Sequence, residues 1–359
     1  MAAPIPHEAI ARAVRAAFGD RAAVLASEPL CGDASSRRYV RLRLADAAAR
    51  TAVVMLLGKD RSPLGSDELG GPQAIDELPF VNVARYLAAR GLAVPAVYHE
   101  AAASDALLLL EDVGDTTLWA AVGAAPARAR ALFAAAIDLL VALQVAGVRH
   151  PDPSCHAFKQ RFDGRLARWE LEHFVEHGIE TRHGRKLPGD ERRALLAELA
   201  PVAAPFEREE PVLAHRDFMA WNLHVQDGRL RPIDFQDALL APDAYDLASL
   251  LTDRTTGTVV TPALESELVD YFCSARSTAG LPLPGDPAAF RARYRACALQ
   301  RALKVIGRFH YLETVLGKPG YLAYLPGVYT VARRMFDGLP ELAVVRARVA
   351  AFVPELAAT

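Results

Sequence analysis

The sequence predicts an α+β protein of two lobes, a small, mainly antiparallel β lobe followed by a larger helical one. Three observations carry this expectation. Up to about residue 112 the chain reads as short strands around one helix, whereas from Pro126 apolar residues recur at helical spacing. The change falls at Glu111 to Gly114, a Gly-containing connection after the run Leu107 to Leu110. The helical part is interrupted by a hairpin signal at Asp227-Gly228. The expected division is therefore 1–112 and 113–359.

In order, an amphipathic helix follows Pro6. Strands are expected from Ala23 to Leu30, Arg38 to Leu44 and Thr51 to Leu57, the middle one alternating in character. Lys59 to Gly71 is polar and Gly/Pro-containing, hence a loop. Pro79 to Arg90 spaces Phe80, Val83, Ala84 and Leu87 as a helix and stops at Gly91. Val94 to Glu100 and Ala106 to Leu110 complete the sheet. Further helices are predicted at 126–146, 158–177, 190–199, 245–252, 264–275, 287–312 and 329–336.

With 359 residues, 52% apolar and 23% charged, the chain can build one large or two smaller well-cored domains. A net charge of −2 argues against a general nucleic-acid or anionic-membrane binder. Cys31, Cys155, Cys273 and Cys297 form no C-x-x-C, so neither a zinc ribbon nor a disulfide framework is expected. Uninterrupted apolar runs fall short of the ~20 residues of a membrane span. The N-terminal stretch has no signal-peptide core, so a cytoplasmic location is expected.

The chemistry concentrates between Pro211 and Asp253. Leu223 to Val225 and Leu230 to Ile233 can pair around Asp227-Gly228, and Gly228 lies midway between Asn222 and Asp234. The hairpin would then bring Asn222 and Asp234 to its open end. Opposed strand residues have Cβ atoms roughly 5 Å apart, close enough for two oxygen ligands to share a metal ion. Asp217, five residues before Asn222, adds a carboxylate. Phosphoryl transfer from ATP asks for such a set: a hard cation at the phosphates and a carboxylate that orients and deprotonates the attacking hydroxyl. His215-Arg216-Asp217 with Asn222, then Asp234-Phe235, is the protein-kinase order H-R-D-x-x-x-x-N and D-F. Cys31 to Ser36 is a small-residue loop between two strands, which can present N–H groups to phosphates or be a plain hairpin loop.

Together these features resemble the aminoglycoside phosphotransferase superfamily, small-molecule kinases with the two-lobed protein-kinase-like fold. Ile233 to Asp237 (IDFQD) and Leu299 to Gly307 (LQRALKVIG) narrow the resemblance to the bacterial anomeric sugar kinases that act on N-acetylmuramate and N-acetylglucosamine. The resemblance spans about 32–340 and implies ATP and Mg²⁺ as cofactors. It implies that Asp217 is the catalytic base and that Asn222 and Asp234 hold the metal. Asp33, Ala34, Ser35 and Ser36 would cover the ATP phosphates, and the backbone at Glu111 and Val113 would meet adenine. Asp246 would brace the catalytic loop or cap a helix.

One departure is that the strand from Thr51 lacks the lysine that grips the α/β-phosphates in a typical kinase. Arg37, Arg38 or Lys59 stands as the replacement, with Glu77 as an ion-pair acid or a solvated one. The implied acceptor is an amino sugar. An aminoglycoside, choline or another metabolite remains open, as does a nucleotide-binding pseudokinase. No nucleic-acid or membrane partner is expected, and oligomeric state is not readable.

Other stretches invite functional readings. His173 to His177 matches H-x-x-E-H, a zinc motif, but a solvated charged face is the expectation. Trp169, Glu170 and His173 either border an acceptor pocket or, as expected for Trp169, pack in a core. Lys304 and Arg308 share a helix face, read as a surface patch or an anion contact. Asp237 is an acid supporting the site or a cap.

Overall fold

The protein is described by a computed structural model at residues 5–30, 37–57, 77–208 and 210–358. It divides into two compact units, residues 1–116 with 224–237, and 117–223 with 238–359.

The first unit opens with helix α1 (His7–Phe18), whose Ile10, Ala13 and Val14 are buried. Strands β1 (Ala23–Leu30), β2 (Arg38–Ala45) and β3 (Thr51–Leu56) follow, then α2 (Pro79–Ala88), β4 (Val97–Ala101) and β5 (Leu107–Glu111). The strands form one antiparallel sheet in the order β1-β2-β3-β5-β4. Alternation dictates its core: Val40, Leu42, Val54 and Leu109 lie on one face and pack with Ile10 and Val14. Strand ends shift for local reasons. Ala106 takes a left-handed φ of 54°, so β5 begins one residue later than the sequence suggests.

The second unit begins with α3 (Leu118–Ala124), which the sequence reading did not anticipate, capped by Thr117. Next comes α4 (Ala129–Arg149). With its preceding turn, Pro126–Arg149, it passes a length-and-composition test for a membrane span, yet half its most apolar window is buried inside the protein. Helix α5 (Gly164–His173) starts later than expected because Asp163 caps it, accepting from Leu166 N at 3.0 Å. It runs into a π-helical stretch, Phe174–Thr181. Then come α6 (Gly189–Leu199), α7 (Pro205–Arg208) and β6 (Val212–Ala214).

The hairpin β7 (Leu223–Gln226) and β8 (Arg229–Pro232) returns the chain to the first unit. Asp227 (φ 49°) and Gly228 (φ 74°) are both left-handed, as a two-residue I′ turn requires. Back in the second unit, β9 (Leu239–Ala241) pairs antiparallel with β6. The remaining helices are α8 (Tyr245–Leu251), α9 (Pro262–Thr278), α10 (Pro287–His310), α11 (Leu325–Asp337) and α12 (Ala343–Ala350). Helix α10 contacts α5, its π-helical continuation, α8 and α11. At Gly307 a Cβ would lie 2.7 Å from Phe174 Cα, so here α10 meets the π-helical stretch backbone to backbone.

Candidate active site

The segment 215–222 leaves β6 in the second unit and is anchored at once. Asp246, on the first turn of α8, accepts from His215 N (2.6 Å) and Arg216 N (3.0 Å). The helix N-cap is Ala244, so Asp246 acts as a brace and not as a cap. The anchor holds Arg216 in a left-handed conformation (φ 77°), a strained setting for a residue with a Cβ. Burial pushes the Asp246 carboxyl up to about 7, against the pull of its two N–H donors.

Asp217 follows, with 37% of its side chain exposed. Burial raises its carboxyl, but Arg301, Lys304, Arg216 and His215 outweigh that and hold it below the usual carboxylate range. Arg301, buried on α10, places Nη1 3.9 Å from Asp217 Oδ1. The next turn of α10 carries Lys304, which pairs with the buried Glu170 of α5. Gln300 donates to the second Glu170 oxygen at 2.8 Å. Lys304 is therefore a largely enclosed, paired cation, and the surface-patch reading is corrected.

Asn222 donates Nδ2 to the Asp217 carbonyl at 2.8 Å. This leaves Oδ1 as the atom suited to a hard cation.

In the first unit, Asp234 is also left-handed (φ 64°) and accepts from Gln236 at 2.8 Å. The Gln236 amide also donates to Asp237, at 3.1 Å. Burial raises the Tyr39 hydroxyl, Arg37 lowers it and Asp234 raises it again, so Arg37, Tyr39 and Asp234 share one neighbourhood. Arg37 is 6% exposed; Arg38 begins β2 opposite Leu56. Asp33, Ala34, Ser35, Ser36 and Lys59 lie outside the described residues. Glu77 accepts from Asn82 at 3.0 Å and from Arg85, contacts with the helix α2 that follows it.

The 111–114 connection is tied down by the hairpin. Arg231 grips the Glu111 carboxylate and donates to the carbonyls of Ala93 (2.7 Å) and Val94 (3.2 Å). Burial raises the Glu111 carboxyl, but Arg231 and the Ala96 N–H bring it below the usual range. Gln226 donates to the Asp112 carbonyl at 3.1 Å, and His224 Nδ1 to that of Gly114 at 2.8 Å. Val113 is buried between these ties.

Asp217 and Asn222 thus come together in the second unit, while Asp234, Arg38, Glu111 and Val113 belong to the first. Among the described residues no group of three His, Cys, Asp or Glu is set to hold a metal. The histidines of the H-x-x-E-H stretch instead join an aromatic cluster. The His173 and His177 rings are 4.4 Å apart, and both meet Tyr311. The solvated-face expectation is corrected there, as is core packing of Trp169, which is 36% exposed and stacks on His173. Sequence reasoning assigned no role to Arg301. Its only signal was its place inside the LQRALKVIG stretch.

A family model described as the phosphotransferase enzyme family matches residues 27–303. A curated N-acetylmuramate/N-acetylglucosamine kinase of Caulobacter vibrioides is 32% identical, over 94% of this chain and 93% of its own. One of the same name from Pseudomonas aeruginosa is 33% identical, over 88% and 85%. Among solved structures, a putative aminoglycoside phosphotransferase from Ralstonia eutropha superposes with a TM-score of 0.60 at 14% identity, covering 93% of this chain and 98% of that one. A streptomycin-ATP-APH(2")-IIa ternary complex gives 0.56 at 14% identity, over 90% and 97%. These likenesses show the kinase-like α+β fold that the sequence predicts.

Proposed function

The chain belongs to the phosphotransferase enzyme family, and on that premise we propose that it is an ATP-dependent sugar kinase. It transfers the γ-phosphoryl group to the anomeric hydroxyl of N-acetylmuramate or N-acetylglucosamine. The names of the curated relatives support this acceptor. The carrying observation is the state of Asp217: a part-exposed carboxylate kept ionised by Arg301 and Lys304, on a segment fixed by Asp246.

Asp217 orients the acceptor hydroxyl and takes its proton as the oxygen bonds to the γ-phosphorus, while ADP leaves with the bridging oxygen. Asn222 Oδ1 and the Asp234 carboxylate are hard oxygen donors that fit Mg²⁺, which when bound neutralises phosphate charge. Asp33, Ala34, Ser35 and Ser36 cover the phosphates, and Arg38 or the buried Arg37 supplies the positive charge that the third strand lacks. The backbone at Glu111 and Val113 takes the adenine. In this reading 1–112 is the nucleotide lobe and 113–359 the acceptor lobe, apart from residues 224–237, which fold with the first unit. The enzyme works in the cytoplasm, returning cell-wall sugars as 1-phosphates.

The test is ATP consumption against amino sugars, aminoglycosides and choline, with the phosphorylated position read by phosphorus NMR. A sugar 1-phosphate is expected. Turnover confined to an aminoglycoside or choline would replace the acceptor, and Mg·ATP binding without turnover on any acceptor would overturn the kinase reading.

A further inference from the structure

The segment after α8 carries Arg254, to which neither the sequence nor the reaction above gives a role. Its guanidinium carbon lies 5.0 Å from the Tyr324 ring centroid, 5.9 Å from that of Phe309, and 6.0 Å from those of Trp221 and Tyr321. Trp221 directly precedes Asn222, and its indole N–H donates to Thr255 Oγ1 at 3.1 Å, fixing that side of the frame. Asp253, the residue before Arg254, is 8% exposed, and its carboxyl feels the charges of both Arg301 and Asp217. The frame therefore lies on the same side of the second unit as the proposed base.

Two features suit a bound sugar acid. Rings act on a guanidinium through its face, whereas its N–H donors lie in its plane as a fork that matches a carboxylate. Asp253 has a buried carboxylate oxygen, Oδ2, with no hydrogen-bond partner among the described residues. A buried acceptor in that state is stabilised by a hydroxyl donor.

We propose that Arg254, in its frame of Trp221, Phe309, Tyr321 and Tyr324, determines specificity by taking the carboxylate of an anionic sugar acceptor, while Asp253 accepts one of that sugar's hydroxyls. This rests on the sugar-kinase reading above. N-acetylmuramate carries a carboxylate that N-acetylglucosamine lacks, so the two sugars report on Arg254 separately from the chemical step.

The experiment measures kcat/KM for both sugars in the wild type, Arg254→Gln and Arg254→Lys. In the Gln variant the ratio of N-acetylmuramate to N-acetylglucosamine is expected to fall about 10- to 100-fold, the range for one lost charge-assisted contact. The Lys variant, which keeps the charge and loses the fork, is expected to recover part of that ratio. A folding defect lowers both rates and leaves the ratio unchanged. An unchanged ratio in the Gln variant, with or without a general loss of rate, overturns the role of Arg254 while the sugar-kinase reading stands. A wild type inactive on both sugars removes that reading, and this inference with it.

Discussion

The 111–114 connection in the first unit and the 215–222 segment in the second are both surrounded by polar and charged side chains, but to different ends. Around 111–114, Arg231, Gln226 and His224 donate into backbone carbonyls and one carboxylate, so hydrogen bonds are used to shape the main chain. Around 215–222, Arg301 and Lys304 act mainly through their fields on Asp217, the nearest contact being 3.9 Å. A shape held by several bonds loses them one at a time. An ionisation state held by a few buried charges responds to each of them. Substitutions near 111–114 should therefore appear in nucleotide affinity, and those near Asp217 in turnover and pH dependence.

The largest expected effect tests the second region directly. Asp217→Asn should lower kcat by about 10²- to 10⁴-fold, the usual share of a positioned base, while ATP binding by calorimetry stays near wild type. Near-normal turnover would remove Asp217 from the chemistry. Next, Glu170→Gln strips the buried counter-charge from Lys304. Since Lys304 keeps 18% of its side chain exposed, a loss of about 2–3 kcal/mol is expected in urea unfolding. An unchanged midpoint would mean the pair contributes nothing to stability.

Asp246 sharpens the contrast through pH. Its folded carboxyl sits at about 7, above the ~3.9 of an unfolded one, so between those values the native state binds more protons. Its stabilising contribution is full below about pH 4 and fades as pH rises through 7. Asp246→Asn should flatten the fall in stability across that window, measured by denaturation at several pH values; an equally steep fall would refute the assignment. Arg301→Gln removes the first of the charges that hold Asp217 down, so the acid limb of kcat/KM should move to higher pH. The smallest effect belongs to the first region. Arg231→Ala should raise KM for ATP severalfold, about 1 kcal/mol, with kcat little changed. A loss in kcat alone would erase the distinction between the regions.

Much of the fold was legible because its signals are local. Ala23 to Leu30 matched β1 residue for residue, and Asp227-Gly228 marked the turn between β7 and β8. The H-R-D and D-F stretches were equally plain. The strands β6 and β9 were missed because three apolar residues carry no period. The backbone contact at Gly307 and the π-helical stretch beside it depend on α10 arriving from far along the chain. In the sequence Arg301 has no role beyond its place in LQRALKVIG, and Lys304 reads as a surface patch or an anion contact. Only the approach of Asp217 and Glu170 in space gives them roles.

The hairpin that grips Glu111 and Asp112 is encoded more than a hundred residues after them, yet belongs to the same compact unit. During synthesis at ~5–20 residues per second, the N-terminal sheet leaves the ribosome on the order of ten seconds before its own clasp. An N-terminal fragment ending near Thr116 would lack Arg231, Gln226 and His224 altogether. Expression of this unit alone calls for grafting residues 224–237 onto it.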